Sequence, residues 1–178
     1  KNSDGTFHIA LNGGKSEEAK SVIVCTGATP KRANFEGEAE FFGRGVSTCA
    51  TFDAFFNKNK EVVALGGGDT ALEEALYLSH ICSKVYLVHR RDTFRASPST
   101  VEKVKNNPKI ELVLNVQVKR AYGDKMGLNG LIVVDDKGNE RDIAVPGVFV
   151  FVGMNVNNAI LKQEDGSFLC DMDDNGNV

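Results

Sequence analysis

The 178-residue chain contains no tryptophan and only four prolines, and it has no long apolar run. Its longest apolar stretches, residues 62–65 and 145–152, are far shorter than the ~20 residues that a membrane-spanning helix needs. Basic residues are not in excess, because 21 Lys and Arg face 24 Asp and Glu for a net charge of −3. The sequence therefore argues against a membrane span and against a general nucleic-acid-binding protein, which would need a basic face.

Cysteine is also scarce, with four residues that are too few and too dispersed for a disulfide scaffold. No two cysteines have the CxxC spacing of a zinc ribbon, and the three histidines are scattered, so we expect no metal site. The first residues, 1–5, are polar and do not resemble a secretory signal, which favours a reduced, cytoplasmic setting. The cysteines are Cys25, Cys49, Cys82 and Cys170.

Hydrophobic residues make up 42% of the chain, enough for a packed core, and 18 glycines suggest loops that approach a nucleotide. The middle of the chain alternates strand and helix patterns and then changes to a series of short strands, which predicts a βαβαβ unit followed by a β-meander. The predicted strands are 7–11, 20–25, 61–65, 84–89, 110–114, 116–122, 130–134, 141–145 and 148–152, and the predicted helices are 69–81 and 98–107.

These patterns divide the chain into three segments, with boundaries near residues 31 and 146. The middle segment, 32–145, reads as a domain inserted into another domain, whose edges are residues 1–31 and 146–178. Both ends of the chain read as interrupted hairpins, so we expect a fragment of a longer protein.

A glycine turn joins the strand at 61–65 to the helix at 69–81. Its sequence fits G-x-G-x-x-A, in which Gly66 permits the tight turn, Gly68 admits a pyrophosphate and Ala71 keeps the helix close to the sheet. The helix N-terminus would offer free N–H groups to phosphates. A turn that serves only packing is the alternative. The candidate cofactor-binding residues here are Gly66, Gly67, Gly68, Asp69, Thr70 and Ala71, with Gly153 at the end of the last buried strand.

The end of the second strand indicates which nucleotide would bind. His89 is followed by Arg90 and Arg91, and Arg95 comes four residues later. Three guanidinium groups so close together suit the 2′-phosphate of NADP(H). Asp92 is the alternative, as the acid that binds the ribose of NAD(H), and a solvated basic turn is another.

Together these motifs resemble the low-molecular-weight bacterial thioredoxin reductase family. The resemblance covers nearly the whole chain. It implies a homodimeric flavoenzyme with two Rossmann-like domains, in which an NADPH domain is inserted into a split FAD domain. The segments that carry it are 24–28, 45–51, 66–78, 89–96, 123–127 and 146–149.

Two departures from the family qualify this assignment. The FAD-binding glycine motif and the C-terminal Gly-Asp flavin segment are absent, so we do not expect this chain to bind FAD tightly by itself. The family's redox centre reads Cys-Ala-Thr-Cys-Asp-Gly, whereas this chain has Cys49-Ala50-Thr51-Phe52-Asp53-Ala54. Phenylalanine cannot replace the thiol that the resemblance assigns to the flavin side.

Cys49 and Asp53 are therefore the catalytic candidates, and both lack the partner cysteine on which the family's chemistry depends. Their alternative roles are structural: Cys49 as a small buried residue and Asp53 as the cap of a short helix. Phe52, together with Phe55 and Phe56, would then serve core or interface packing.

Three functions follow as hypotheses. The first is an NADPH-dependent flavoprotein oxidoreductase that passes hydride to FAD and electrons to thioredoxin, another small electron carrier, a quinone or oxygen. The second is a non-catalytic NADP(H)-binding or regulatory module. The third is a disulfide reductase that takes its second thiol from Cys25, Cys82 or Cys170.

Overall fold

A computed structural model of the chain describes residues 1–163, 165–174 and 176–177. The chain divides into an outer unit, Lys1–Thr29 with Val156–Val178, and a central unit, Pro30–Asn155. The strands are β1 (Phe7–Ala10), β2 (Ser16–Ala19), β3 (Ala28–Pro30), β4 (Val46–Ser47), β5 (Glu61–Leu65), β6 (Lys84–His89), β7 (Ile110–Leu114), β8 (Val116–Asp124), β9 (Gly127–Asp135), β10 (Glu140–Ile143), β11 (Gly147–Val150) and β12 (Met154–Val156). The helices are α1 (Glu38–Phe41), α2 (Ala50–Asp53), α3 (Asp69–Ile81) and α4 (Pro98–Lys105), and single 3-10 turns span Ala54–Asn57 and Ala159–Leu161.

The central unit is built on a five-stranded parallel sheet with the order β4-β11-β5-β6-β7. From β5 the chain runs outward to β6 and β7, and it later returns to β11 on the other side of β5. The end of β5 is therefore a topological switch point, where α/β sheets of this kind bind ligands. This arrangement confirms the predicted Rossmann-like α/β fold.

Each face of the parallel sheet packs against a different layer, because successive side chains of a strand point to opposite faces. Val62 and Ala64 of β5 face α3 and α4, whereas Val63 and Leu65 face the meander of β8, β9 and β10. Both sides are continuous apolar cores. The helix side buries Leu72, Ala75, Leu78, Val85, Leu87, Val104 and Phe149, and the meander side buries Val88, Leu128, Leu131, Val133, Ile143 and Val148.

The sequence places the second boundary near residue 146, and the structure places it later. β11 pairs with β4 and β5, so residues 146–155 lie with the central unit. The first division, between Thr29 and Pro30, lies close to the expected residue 31.

The predicted strand at 20–25 is wrong. β2 ends at Ala19, and residues 21–27 have no regular structure. Ile23 is 89% exposed, and Val22 and Val24 are exposed as well. A buried strand requires neighbours that hydrogen-bond to its edges, and no strand among the described residues pairs with this segment.

Glu38 anchors the start of the central unit. Its side chain is buried, and its two carboxylate oxygens accept hydrogen bonds from the backbone N–H groups of Ala33 at 3.1 Å and Asn34 at 2.5 Å. A carboxylate that receives two amide donors is well matched to this site, whereas a carboxamide presents an N–H₂ group to one of those donors.

We expect Glu38→Gln to lower the free energy of unfolding by about 1–3 kcal/mol, the usual cost of losing a buried hydrogen bond to a charged group. Urea unfolding followed by circular dichroism measures this loss. Glu40→Gln, at an exposed position of the same helix, is the matched control and should stay within about 0.5 kcal/mol of wild type. Equal losses in the two variants would show that the buried carboxylate has no special role.

Candidate functional site: a cleft at the end of β5

The glycine turn, residues 66–71, leaves β5 through a conformation that only glycine adopts easily. Gly66 has a φ of 154°, and a Cβ atom there would lie 2.4 Å from the Phe151 carbonyl oxygen and 2.7 Å from the Ala71 Cβ. The Gly66 N–H donates to the Val88 carbonyl at 3.1 Å. The turn therefore brings α3 tightly against the end of the sheet, as the G-x-G-x-x-A pattern predicts.

The next two glycines have different surroundings. A Cβ on Gly67 would lie within 2.4 Å of the His89 ring, so this glycine is needed for packing. A Cβ on Gly68 would meet no atom within 4 Å, and no side chain caps the start of α3. The first-turn N–H groups of α3 thus face an open space beside Gly68, and this cradle fits a diphosphate.

The arginine loop, residues 90–95, and Ser97 just after it are joined to the glycine turn by hydrogen bonds from backbone N–H groups. The Arg95 N–H donates to the Gly67 carbonyl at 2.8 Å, and the Ser97 N–H donates to the Asp69 carboxylate at 2.8 Å. His89 Nε2 donates to the Thr93 carbonyl at 3.2 Å, and its ring stacks on Phe94 with 5.5 Å between centroids. These contacts therefore fix the position of the loop relative to the turn.

Together the glycine turn and the arginine loop line a cleft of about 530 Å³ within the central unit. Asp92, the acid that an NAD(H) site would use, does not line it. The three loop arginines are exposed, and none forms an ion pair within the described part of the chain. Every residue expected to bind cofactor lines this cleft: Gly66, Gly67, Gly68, Asp69, Thr70, Ala71, His89, Arg90, Arg91, Arg95 and Gly153.

The cleft also contains side chains that sequence reasoning missed. They come from segments far apart in the chain, and no local pattern marks them as parts of one site. The most polar of them are Lys31, Arg32, Thr48, Glu74 and Gln117.

The two catalytic candidates, Cys49 and Asp53, line different cavities of the central unit. Cys49 lines the cleft and is half-buried, with its N–H donating to Ser47 Oγ at 3.0 Å. Asp53 instead lines a second cavity on the central unit. Asp53 ends α2, and no side-chain hydrogen bond caps α2 or the turn that follows, so the predicted cap is wrong.

The aromatic residues near Cys49 are not core residues. Phe52 is 78% exposed, and Phe55 and Phe56 are 65% and 77% exposed. Core packing is therefore excluded for these three rings, whereas interface packing stays a prediction.

The remaining cysteines give Cys49 no partner within the central unit. All four cysteines are free thiols. Cys82 is buried away from the cleft, and this burial raises the pKa of its thiol. Cys25 and Cys170 belong to the outer unit.

His89 makes the stability of the site depend on pH. Burial lowers the pKa of His89 from its ordinary 6.5, the hydrogen bond to Thr93 opposes that shift, and the arginines Arg90, Arg91 and Arg95 add to it. The unfolded chain therefore binds a proton that the folded chain rejects. The contribution of neutral His89 to the folding stability is therefore fully present above pH 6.5. It is lost as the pH falls from 6.5 through the lower pKa that His89 has in the folded state.

We expect His89→Gln to remove this part of the pH dependence in urea unfolding experiments between pH 8 and 5. His80→Gln, at an exposed histidine of α3, should retain it. A His89 variant with the wild-type slope would contradict the assignment.

The described ranges contain no cluster of three or more His, Cys, Asp or Glu side chains placed to bind a metal ion. None of the helices in those ranges combines the length and the apolar character that crossing a bilayer requires.

Comparison with known proteins gives the relatives of this chain. Residues 2–178 match the family model of the pyridine nucleotide-disulphide oxidoreductases. The chain is 56% identical over 173 residues to a thioredoxin reductase of Helicobacter pylori. The matched region covers 97% of this chain and 56% of the H. pylori protein.

Two solved thioredoxin reductases share the fold. The T. acidophilum structure has a TM-score of 0.84 at 30% identity, and the matched region covers 99% of this chain and 56% of the T. acidophilum chain. The Lactococcus lactis structure, in the FR conformation, has a TM-score of 0.83 at 29% identity, and the matched region covers 96% of this chain and 58% of the L. lactis chain. The chain thus spans little more than half the length of these relatives, and it belongs to the pyridine nucleotide-disulphide oxidoreductase family.

Proposed function

We propose that this chain is the NADPH-binding portion of a thioredoxin-reductase-like flavoprotein oxidoreductase. The observation that carries the proposal is the set of three arginines, Arg90, Arg91 and Arg95, in one cleft with the glycine turn, with no ion pair to any residue that the structure describes. Guanidinium groups bind phosphate with bidentate geometry and permanent charge, which suits a 2′-phosphate. The absence of Asp92 from this cleft supports NADPH over NADH.

Within this proposal each part of the cleft has one task. The first turn of α3 holds the diphosphate through backbone N–H groups, and Gly68 leaves room for it. The arginine loop binds the 2′-phosphate, and its distance from the diphosphate is kept by the hydrogen bonds from Arg95 to Gly67 and from Ser97, just after the loop, to Asp69. When bound, NADPH supplies a hydride, and FAD in the parent protein is the proposed acceptor.

The dithiol step of a thioredoxin reductase does not fit the residues beside the cleft. An internal disulfide requires two thiols, and Cys49 is followed at the family's second position by Phe52, which has none. We therefore expect electrons to leave the parent flavoprotein for thioredoxin through another thiol, or for a different small carrier, a quinone or oxygen. A homodimeric, cytoplasmic parent completes the proposal.

Isothermal titration calorimetry of the chain with NADPH and NADH at a stated ionic strength tests the nucleotide assignment. We expect NADPH to bind at least tenfold more tightly, which is about 1.4 kcal/mol of selectivity. Equal affinities would contradict the 2′-phosphate assignment, and no binding of either nucleotide would contradict the proposed function.

The Cys49–Phe52 departure favours one alternative, a non-catalytic NADP(H)-binding module. The two functions differ in the parent polypeptide. A parent that purifies with a yellow flavin spectrum, bleached by NADPH, supports the oxidoreductase. A colourless parent that binds NADPH without further reaction supports the binding module.

A further inference from the structure

The cleft carries more positive charge than the arginine loop provides. Lys31 and Arg32 also line it, so the cleft is lined by five cationic residues and two acidic ones, Asp69 and Glu74, for a net charge of +3. The chain as a whole has a net charge of −3. Asp69 is already engaged by the Ser97 N–H, and none of the five cations forms an ion pair within the described ranges. Uncompensated positive charge is concentrated at this cleft.

The two groups of cations lie on opposite sides of the glycine turn. The arginine loop follows β6, on one side of β5, whereas Gly153 follows β11, on the other. Lys31 lies beside Gly153: its N–H donates to the Gly153 carbonyl at 2.9 Å, and its Cδ is 3.7 Å from the position of a Cβ on Gly153. Lys31 therefore belongs to the β11 side of the switch point.

Arg32 is held in place by an aromatic ring. Its guanidinium carbon lies 3.4 Å from the centroid of Phe42, a cation–π contact that limits the freedom of this long side chain. The segment is anchored further by Glu38, which binds the N–H groups of Ala33 and Asn34. Lys31 and Arg32 thus lie at the edge of the cleft on a segment of backbone that these contacts fix.

We propose that Lys31 and Arg32 form a second cationic subsite, on the β11 side of the glycine turn, for the diphosphate charge that NADPH and NADH share. The inference rests on the proposed nucleotide-binding function. A dinucleotide whose 2′-phosphate lies on the arginine loop extends across the switch point toward β11, where this pair lies. The arginine loop then sets selectivity, and the Lys31–Arg32 pair sets the affinity common to both nucleotides.

The double variant Lys31→Gln/Arg32→Gln of the 178-residue chain, titrated with NADPH and NADH by calorimetry, tests this division. We expect both affinities to fall about tenfold and their ratio to stay within about twofold of wild type. Lys31→Arg/Arg32→Lys keeps the charge and should keep most of the affinity. Lys125→Gln/Lys137→Gln removes the same charge outside the cleft and should leave both affinities within about twofold.

Four results would overturn the subsite. The first is wild-type affinity in Lys31→Gln/Arg32→Gln. The second is a loss for NADPH alone, which would place the pair on the 2′-phosphate. The third is an equal loss in Lys125→Gln/Lys137→Gln, which would indicate a long-range field. The fourth is wild-type protein that binds neither nucleotide, and only this result would also remove the proposed function.

Discussion

Replacing Arg90 and Arg95 with alanine should weaken NADPH binding by about a hundredfold and leave NADH binding within about twofold. Each guanidinium supplies a charge-assisted hydrogen bond to the 2′-phosphate, and the loss of each costs roughly a factor of ten. NADH has no phosphate at that position, so its affinity does not depend on these side chains. Parallel calorimetric titrations of both nucleotides measure the change.

The double arginine variant should remain as stable as wild type. Both side chains are exposed, and neither forms an ion pair in the described ranges. The backbone hydrogen bond from Arg95 to Gly67 does not depend on the side chain. Arg120→Ala, at an exposed arginine that does not line the cleft, is the control for a loss of positive charge. If the Arg90 and Arg95 variant kept the wild-type preference for NADPH, or lost affinity for NADPH and NADH by the same factor, the selectivity would have to come from elsewhere.

Gly66→Ala should destabilise the central unit by about 3 kcal/mol and abolish nucleotide binding. The methyl group would lie 2.4 Å from the Phe151 carbonyl and 2.7 Å from the Ala71 Cβ, and neither atom belongs to a flexible side chain. The φ of 154° adds backbone strain for any other residue. Urea unfolding gives the stability, and calorimetry gives the affinity.

Gly68→Ala separates binding from stability. Its methyl group would meet no protein atom within 4 Å, and its φ of −98° suits alanine. We therefore expect a loss of about 1 kcal/mol or less in unfolding free energy, with NADPH and NADH binding both weakened at least tenfold, because the methyl group enters the space proposed for the diphosphate. Tight binding by Gly68→Ala would place the diphosphate elsewhere.

The middle of the fold was predictable because its signals are local. The strand at 61–65, the glycine turn and the apolar spacing of 69–81 define β5 and α3 with the bounds that the structure has. The arginine loop follows directly, since the second strand of such a unit ends beside the first. The glycine turn and the arginine loop come together because they follow two neighbouring strands, so local sequence patterns are enough to predict their proximity.

Other features depend on contacts between distant parts of the chain, so the local sequence could not predict them. Residues 20–25 have the composition of a buried strand, but composition does not supply a strand partner, and Ile23 is exposed. Lys31 enters the cleft because β11 returns beside β5 and brings Gly153 to it. The exposure of Phe52 likewise follows from the way α2 lies on the central unit, which its sequence does not specify.

Backbone and arginine side-chain chemical shifts of the ¹⁵N-labelled 19.3 kDa chain, followed by NMR during titration with NADPH, test the central claim most directly. The account predicts that the largest shifts cluster at residues 66–71 and 89–95, with the Arg90, Arg91 and Arg95 Nε–H signals shifting with NADPH and not with NADH. Shifts that avoid the glycine turn, or that are the same for the two nucleotides at these arginines, would contradict it.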